Sequence, residues 1–280
     1  METSEVILPA NSTQDELCPL RNFVFVKTHK TGSSTMSNIL LRYSENHKLN
    51  QLIGSHPTGT EYRDLSQHVY PPPPPAQHYN IFHKFFTFTR NPVSRYISGF
   101  NYFEHDKVYD GNDFDNAINL HISANKEYLV TTAKCHHCSK TVNSVAYDLG
   151  FDFKGYVNAQ DNKVFLDNFL RKLEMEIDLV LISEYYDLSL VLLARRYCWT
   201  FDDITYLKNL ESFQKPVVSE ATKKNILEFQ HVDAVIYDFY NNTFWDLVDK
   251  EEGIMEEFES FKEHNKMMHN KCVAGRQVRV

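Results

Sequence analysis

The sequence predicts an α/β fold, a central parallel sheet flanked by helices in three layers. Three short, continuous apolar runs point to it: Phe23 to Lys27 (FVFVK), Phe85 to Thr89 (FFTFT) and Asp178 to Ser183 (DLVLIS). Unbroken apolar runs of this length are the mark of strands buried on both faces, as parallel strands are. Each run is followed by a segment of helical apolar spacing: Met36 to Tyr43, Val93 to Phe103 and Leu188 to Tyr197. Strands alternating with helices place the helices on both faces of a parallel sheet.

Taken in order, residues 1–21 read as a polar tail, 22–250 as the folded domain and 251–280 as a charged C-terminal helix and tail. Met36, Ile39, Leu40 and Tyr43 give the first helix its apolar face. Residues 54–80, with Gly54, Pro57, Gly59 and the run Pro71 to Pro75, read as loop. The prolines form a stiff surface connection or, in a second reading, a polyproline ligand for a partner. Pro92 stands near the first turn of the second helix, where a missing N–H is harmless. Residues 106–145 are polar and are expected to form a substrate-facing insertion. Ala221 to Phe229 and Val232 to Val248 read as two further helices, and Glu251 to His269 as an amphipathic one packed on the outside.

Composition limits the function. Of 280 residues, 42% are hydrophobic and 24% charged, enough apolar material for a core and against disorder over most of the length. A net charge of −8 argues against a general nucleic-acid binder, which needs a basic face, but leaves room for one anionic ligand in a locally positive pocket. No stretch reaches the roughly 18 apolar residues of a membrane span. The first twenty residues lack the basic start and apolar centre of a signal peptide, so the chain is expected to be soluble as it stands or to have lost an anchor. Cys135-His136-His137-Cys138 has the spacing of half a zinc site or of a redox pair; without a second ligand pair it is read as a disulfide or free thiols, and no metal is expected. Asn11-Ser12-Thr13 and Asn241-Asn242-Thr243 are glycosylation acceptors if the chain enters the secretory pathway.

Two loops carry the chemistry. A strand that feeds a small-residue turn into a helix is an anion site, because backbone N–H groups and the helix N-terminus converge on the ligand. Lys30-Thr31-Gly32-Ser33-Ser34-Thr35 supplies such a turn with a lysine, a glycine and four hydroxyls. It is not a Walker A loop, in which the lysine follows the glycines. The second loop runs from Arg90 at a strand end to Ser98, two turns into the next helix. An arginine fork with a hydroxyl suits a terminal phosphate.

The stretches FVFVKTHKTGSSTMSNIL and FTFTRNPVSRYISGFNYF resemble the two nucleotide-binding loops of galactose-3-O-sulfotransferases. Similar stretches continue through Tyr147 to Phe151, Leu179 to Trp199 and Tyr240 to Trp245. The resemblance implies a P-loop-like domain in the Golgi lumen, held to the membrane only through an anchor absent from this chain. It further implies sulfate transfer from PAPS (3′-phosphoadenosine 5′-phosphosulfate), without a metal, to O3 of galactose on a glycolipid or glycan. On this pattern Lys27, Thr31, Gly32, Ser33, Ser34 and Thr35 hold the 5′-phosphosulfate, and Arg90 and Ser98 the 3′-phosphate.

Sulfuryl transfer needs positive charge on the leaving phosphate and a base for the acceptor hydroxyl. Lys30 is the electrophile. His29, next to it, and His68, upstream of the second strand where related sulfotransferases carry a histidine, are the candidate bases, with His56 and His83 behind them. Glu184 could be read as a Walker B acid, but sulfuryl transfer needs no metal, and structural or acceptor contacts are expected for it. Two alternatives stand beside this reading: an inactive sulfotransferase-like scaffold that binds a glycan or partner, and a nucleotide kinase, against which the missing second glycine counts.

Overall fold

The computed structural model describes residues 20–49, 84–103, 113–125, 141–207 and 216–277. His56, His68, His83, the proline run, Asn11, the Cys135–Cys138 motif and much of the 106–145 stretch lie outside the described residues.

Strands β1 (Phe23–Val26), β2 (Lys84–Thr89) and β3 (Leu179–Ile182) form a parallel sheet in the order β1-β2-β3. Val26 pairs with Thr87 and Thr89 with Ile182, so all three strands end along one edge. All four residues of β3 are buried, as are Phe86 to Thr89 of β2. That double burial is why these runs are continuously apolar rather than alternating. The Phe25 and Phe86 rings stack at 5.1 Å across the first pair of strands, and Phe88 stacks on Tyr186 at 5.0 Å.

Helix α1 (Ser33–Asn46) buries Met36, Ile39 and Tyr43, the face expected from their spacing. Helix α2 (Pro92–Tyr102) starts at Asn91, whose side chain accepts from the N–H groups of Val93 and Ser94, with Pro92 in the first turn. Helix α3 (Phe114–Asn125) lies inside the stretch expected to form a substrate-facing insertion. Its Ala117, Ile118 and Ile122 pack with Tyr96, Phe100 and Phe229 in a second apolar cluster.

Helices α4 (Ser144–Asp148), α5 (Phe153–Val157) and α6 (Asn162–Glu176) lie where no helix or strand was expected. For α6 the signal was present: Leu166, Phe169, Leu170 and Leu173 form a buried stripe, and Asp161 caps the N-terminus. After β3 a 3₁₀ turn, Ser183–Tyr185, leads into α7 (Tyr186–Tyr197). There follow α8 (Phe201–Ile204), α9 (Glu220–Phe229) and α10 (His231–Val248), the last two where expected. The charged helix α11 (Ile254–Gln277) buries Ile254 and Phe261 in the main core. It is tied to α7 by Arg195, which reaches Glu257 at 2.8 Å. No helix among the described residues is long and apolar enough to cross a membrane.

Cys198, which ends α7 with a φ of 54°, is disulfide-bonded. Asn241 lies within α10 with its Oδ1 buried, and Thr243 of the same triplet donates to the Phe239 carbonyl. A triplet wound into a helix in this way is not presented as a loop glycosylation site is.

Candidate active site

Because the strands are parallel and end together, the segments after β1, β2 and β3 meet at one edge of the sheet, where ligands of open α/β sheets bind. Hydroxyls fasten them to one another. Thr28 Oγ1 donates to the Phe88 carbonyl of β2 (2.6 Å). Ser183 Oγ, after β3, reaches both the Thr31 carbonyl (2.7 Å) and the Thr89 carbonyl (2.9 Å). Arg90, after β2, donates from Nη1 to the Lys30 carbonyl (2.9 Å).

The loop after β1 is tightly wound. Lys30 has a φ of 60° and Gly32, the N-cap of α1, a φ of 79°. A non-glycine residue at positive φ is a strained position that the surroundings must hold, a frequent mark of functional loops. Gly32 needs its missing side chain: a Cβ there would lie 2.9 Å from the Tyr186 ring. Thr31 and Ser33 are buried, and their hydroxyls serve the loop itself. Thr31 Oγ1 lies 2.8 Å from Thr28 Oγ1, and Ser33 Oγ donates to the Thr28 carbonyl (2.8 Å). Ser34 is exposed and Thr35 half-buried, and neither side chain forms a hydrogen bond among the described residues. The first turn of α1 carries no acidic residue and no side-chain cap, so its leading N–H groups remain available to an anion.

Lys30 Nζ sits 3.6 Å from the centre of the Tyr102 ring, which is 67% exposed. Burial, and secondarily the nearby Arg90 guanidinium, lower its pKa from the ordinary value to about 8. The side chain is therefore still mostly cationic at neutral pH, yet no carboxylate among the described residues neutralises it. A phosphate would.

The Arg90 guanidinium is half-buried, with Nε 3.8 Å from Glu184 Oε1. Glu184 accepts from the Asn91 N–H at 3.1 Å through both carboxylate oxygens, a structural tie at the start of α2. Ser98 lies half-buried on α2, on the same strand–helix unit as Arg90. Lys27 Nζ, by contrast, is buried within the protein.

His29 is also buried, and Asp148 at the end of α4 holds it twice. The His29 backbone N–H donates to Asp148 Oδ2 (2.7 Å), and Nδ1 lies 2.7 and 2.8 Å from the two carboxylate oxygens. Asp148, Ser183, Tyr186 and Tyr102 were not singled out as site residues from the sequence. All four are remote in the chain from the loop residues they touch, and all four lie within stretches that resemble the family.

The family description of galactose-3-O-sulfotransferases matches residues 2–71 and 78–280, nearly the whole chain. The chain belongs to the galactose-3-O-sulfotransferase family. Among curated members, galactose-3-O-sulfotransferase 3 of Mus musculus is 29% identical over 250 residues, covering 79% of this chain and 56% of its own length. Galactose-3-O-sulfotransferase 2 of Mus musculus is 29% identical over 291 residues, covering 91% and 70%. Galactosylceramide sulfotransferase of Homo sapiens is 28% identical over 325 residues, covering 97% and 68%. The chain thus spans little more than half of the first of these relatives. No solved structure matches it. In this member of the family, the stretch Leu179 to Trp199 is β3, the turn bearing Ser183 and Glu184, and α7, the part of the fold that underlies the loop.

Proposed function

We propose that the protein transfers the sulfuryl group of PAPS to the 3-hydroxyl of a galactose residue on a glycolipid or glycan. The observation that carries this reading, beside family membership, is the group around Lys30. An amine with a lowered pKa stands near an arginine and an acid-free helix N-terminus, on a loop held by all three strand ends. This donor set fits a phosphosulfate: backbone N–H groups, the Ser34 and Thr35 hydroxyls and one cation for the 5′ end, with Arg90 and Ser98 for the 3′-phosphate.

PAPS would supply the sulfuryl group and depart as 3′,5′-ADP. Lys30 neutralises the charge that develops on the 5′-phosphate oxygen as the S–O bond breaks. The galactose O3 forms the new bond to sulfur, and its proton passes to a base. His29 takes that role in this reading; His68, the other candidate, lies outside the described residues. Thr31 and Ser33, with their hydroxyls engaged in the loop, contribute backbone N–H groups. Tyr102 offers an exposed aromatic face beside Lys30, suited to stacking on the apolar face of a sugar ring. A Golgi lumenal setting goes with this activity, and the disulfide at Cys198 favours an oxidising compartment.

The test has two arms. Thermal stabilisation by 3′,5′-ADP is compared with that by ATP and Mg²⁺, and transfer from radiolabelled PAPS is measured with galactosylceramide, lactosylceramide, N-acetyllactosamine and desulfated heparan or chondroitin. Stabilisation by 3′,5′-ADP with labelling of the galactosides is expected. Labelling of the uronate polymers alone would refute the acceptor, and stabilisation by ATP and Mg²⁺ alone would refute the donor.

A further inference from the structure

We propose that Asp148 is a positioning residue for the reaction: it fixes the tautomer and orientation of His29, and α4 is the strut that holds it there. The inference rests on the reading of His29 as base, but its physical part can be tested without any turnover.

A carboxylate only accepts hydrogen bonds, so a histidine nitrogen at 2.7–2.8 Å from both Asp148 oxygens carries the proton. Neutral His29 is then the Nδ1–H tautomer, and its basic lone pair is on Nε2. The His29 N–H bond to the same carboxylate adds a second fixed point, so ring and backbone are set together at the residue preceding Lys30. One carboxylate thereby orients a base and braces the strained turn that carries the leaving-group lysine.

Such a brace is useful only if it is rigid, and five residues of helix are not rigid alone. Here the other end of α4 is anchored in a buried polar network. Asp233 of α10 accepts from the N–H groups of Val145 (3.3 Å) and Ala146 (2.8 Å), which open the helix. Arg95 of α2, fully buried, lies with Nε 3.1 Å from Asp233 and donates to Ser144 Oγ (2.5 Å), the Thr141 carbonyl (2.6 Å) and Gln230 Oε1 (2.5 Å). Asn143, held at a φ of 42°, donates its N–H to Gln230 Oε1 (2.7 Å) and accepts from the Asp233 N–H (3.1 Å). A buried charge pair that draws this many further hydrogen bonds is costly to build and favours one arrangement of the elements it joins. It runs from α2 and α10 through α4 to the loop, which gives the network a purpose that packing alone does not require.

The decisive variant is Asp148→Asn, which keeps the shape and can still accept from the His29 N–H, but offers an NH₂ to Nδ1 and so favours the opposite tautomer. In ¹⁵N-histidine spectra of the whole protein, the His29 signal, assigned through His29→Gln, is expected as Nδ1–H in the wild type and as Nε2–H in Asp148→Asn. Turnover of a galactoside by the variant should fall about 10²-fold or more, with 3′,5′-ADP affinity and the galactoside KM within about threefold of wild type. An Nε2–H tautomer in the wild type would overturn the proposal. So would Asp148→Asn turnover within about threefold of wild type, or a loss of turnover matched by an equal loss of 3′,5′-ADP affinity. If the wild type shows the expected tautomer but sulfates no acceptor, the functional reading fails and the tautomer assignment stands.

Discussion

The affinity for 3′,5′-ADP should depend on pH through Lys30, and the structure gives the size of the effect. The amine has a pKa of about 8 in the ligand-free protein, lowered by burial and then by Arg90. A bound phosphate stabilises the cation and raises that pKa, so binding takes up a proton wherever free Lys30 is neutral. The sign follows. Below pH 8 affinity is nearly flat, and above pH 8 it falls as pH rises. With a free pKa of 8, roughly 90% of the amine is protonated at pH 7 and roughly 10% at pH 9, so Kd should rise about tenfold, or ~1.4 kcal/mol. Phosphate groups, with a second pKa near ~6, are already ionised over this range and do not obscure the slope. Isothermal titration of 3′,5′-ADP from pH 6.5 to 9.5, on wild type and Lys30→Ala, measures it directly. The variant should bind more weakly at pH 7, show no such slope, and have lost sulfate transfer. A wild-type Kd that stays constant through pH 9, or the same slope in Lys30→Ala, would refute the assignment of Lys30 to the phosphate.

Arg90→Ala should cost affinity for 3′,5′-ADP much more than for 5′-AMP, which lacks the 3′-phosphate; an equal loss for both would mean that Arg90 acts only by holding the Lys30 carbonyl. Gly32→Ala forces a side chain into left-handed backbone, costing about 1–2 kcal/mol, with a further penalty for moving the Tyr186 ring. Its melting temperature should therefore drop by at least ~2–4 °C, and an unchanged melting curve would show that the loop relaxes freely. Arg95→Met leaves the Asp233 carboxylate, whose pKa burial already raises, without its cation, and should destabilise the fold by about 3–5 kcal/mol in urea titration. Asp233→Asn in the same chain should recover part of that loss.

The strands were legible because burial on both faces leaves an unbroken apolar run, as in Leu179–Ile182, and the first two helices because Met36, Ile39 and Tyr43 or Tyr96 and Phe100 repeat at helical spacing. The Lys30–Thr35 turn could be read for a related reason: its chemistry is local, a lysine, a glycine and hydroxyls between a strand and a helix. Helix α6 carries the same kind of signal in Leu166, Phe169, Leu170 and Leu173, so it too was legible in the sequence although no helix was expected there. Helix α4 could not have been found so, since five residues hold barely more than one helical turn and this one exists through Asp233 and Arg95.

What the sequence by itself determined was the class of fold, the family and the segments expected to face an anionic ligand, all of them set by patterns within about twenty neighbouring residues. Only the tertiary structure decided which groups in those segments are spent on the loop and which remain for a ligand. Thr31 and Ser33 turn inward to Thr28, while Ser34 is left exposed at the head of α1. It also decided that His29 is paired with a carboxylate 119 positions away and that Ser183 joins Thr31 to Thr89. The physical reason is that a hydrogen bond depends on distance in space, and the parallel crossovers bring these residues together while leaving no trace in the spacing of either partner.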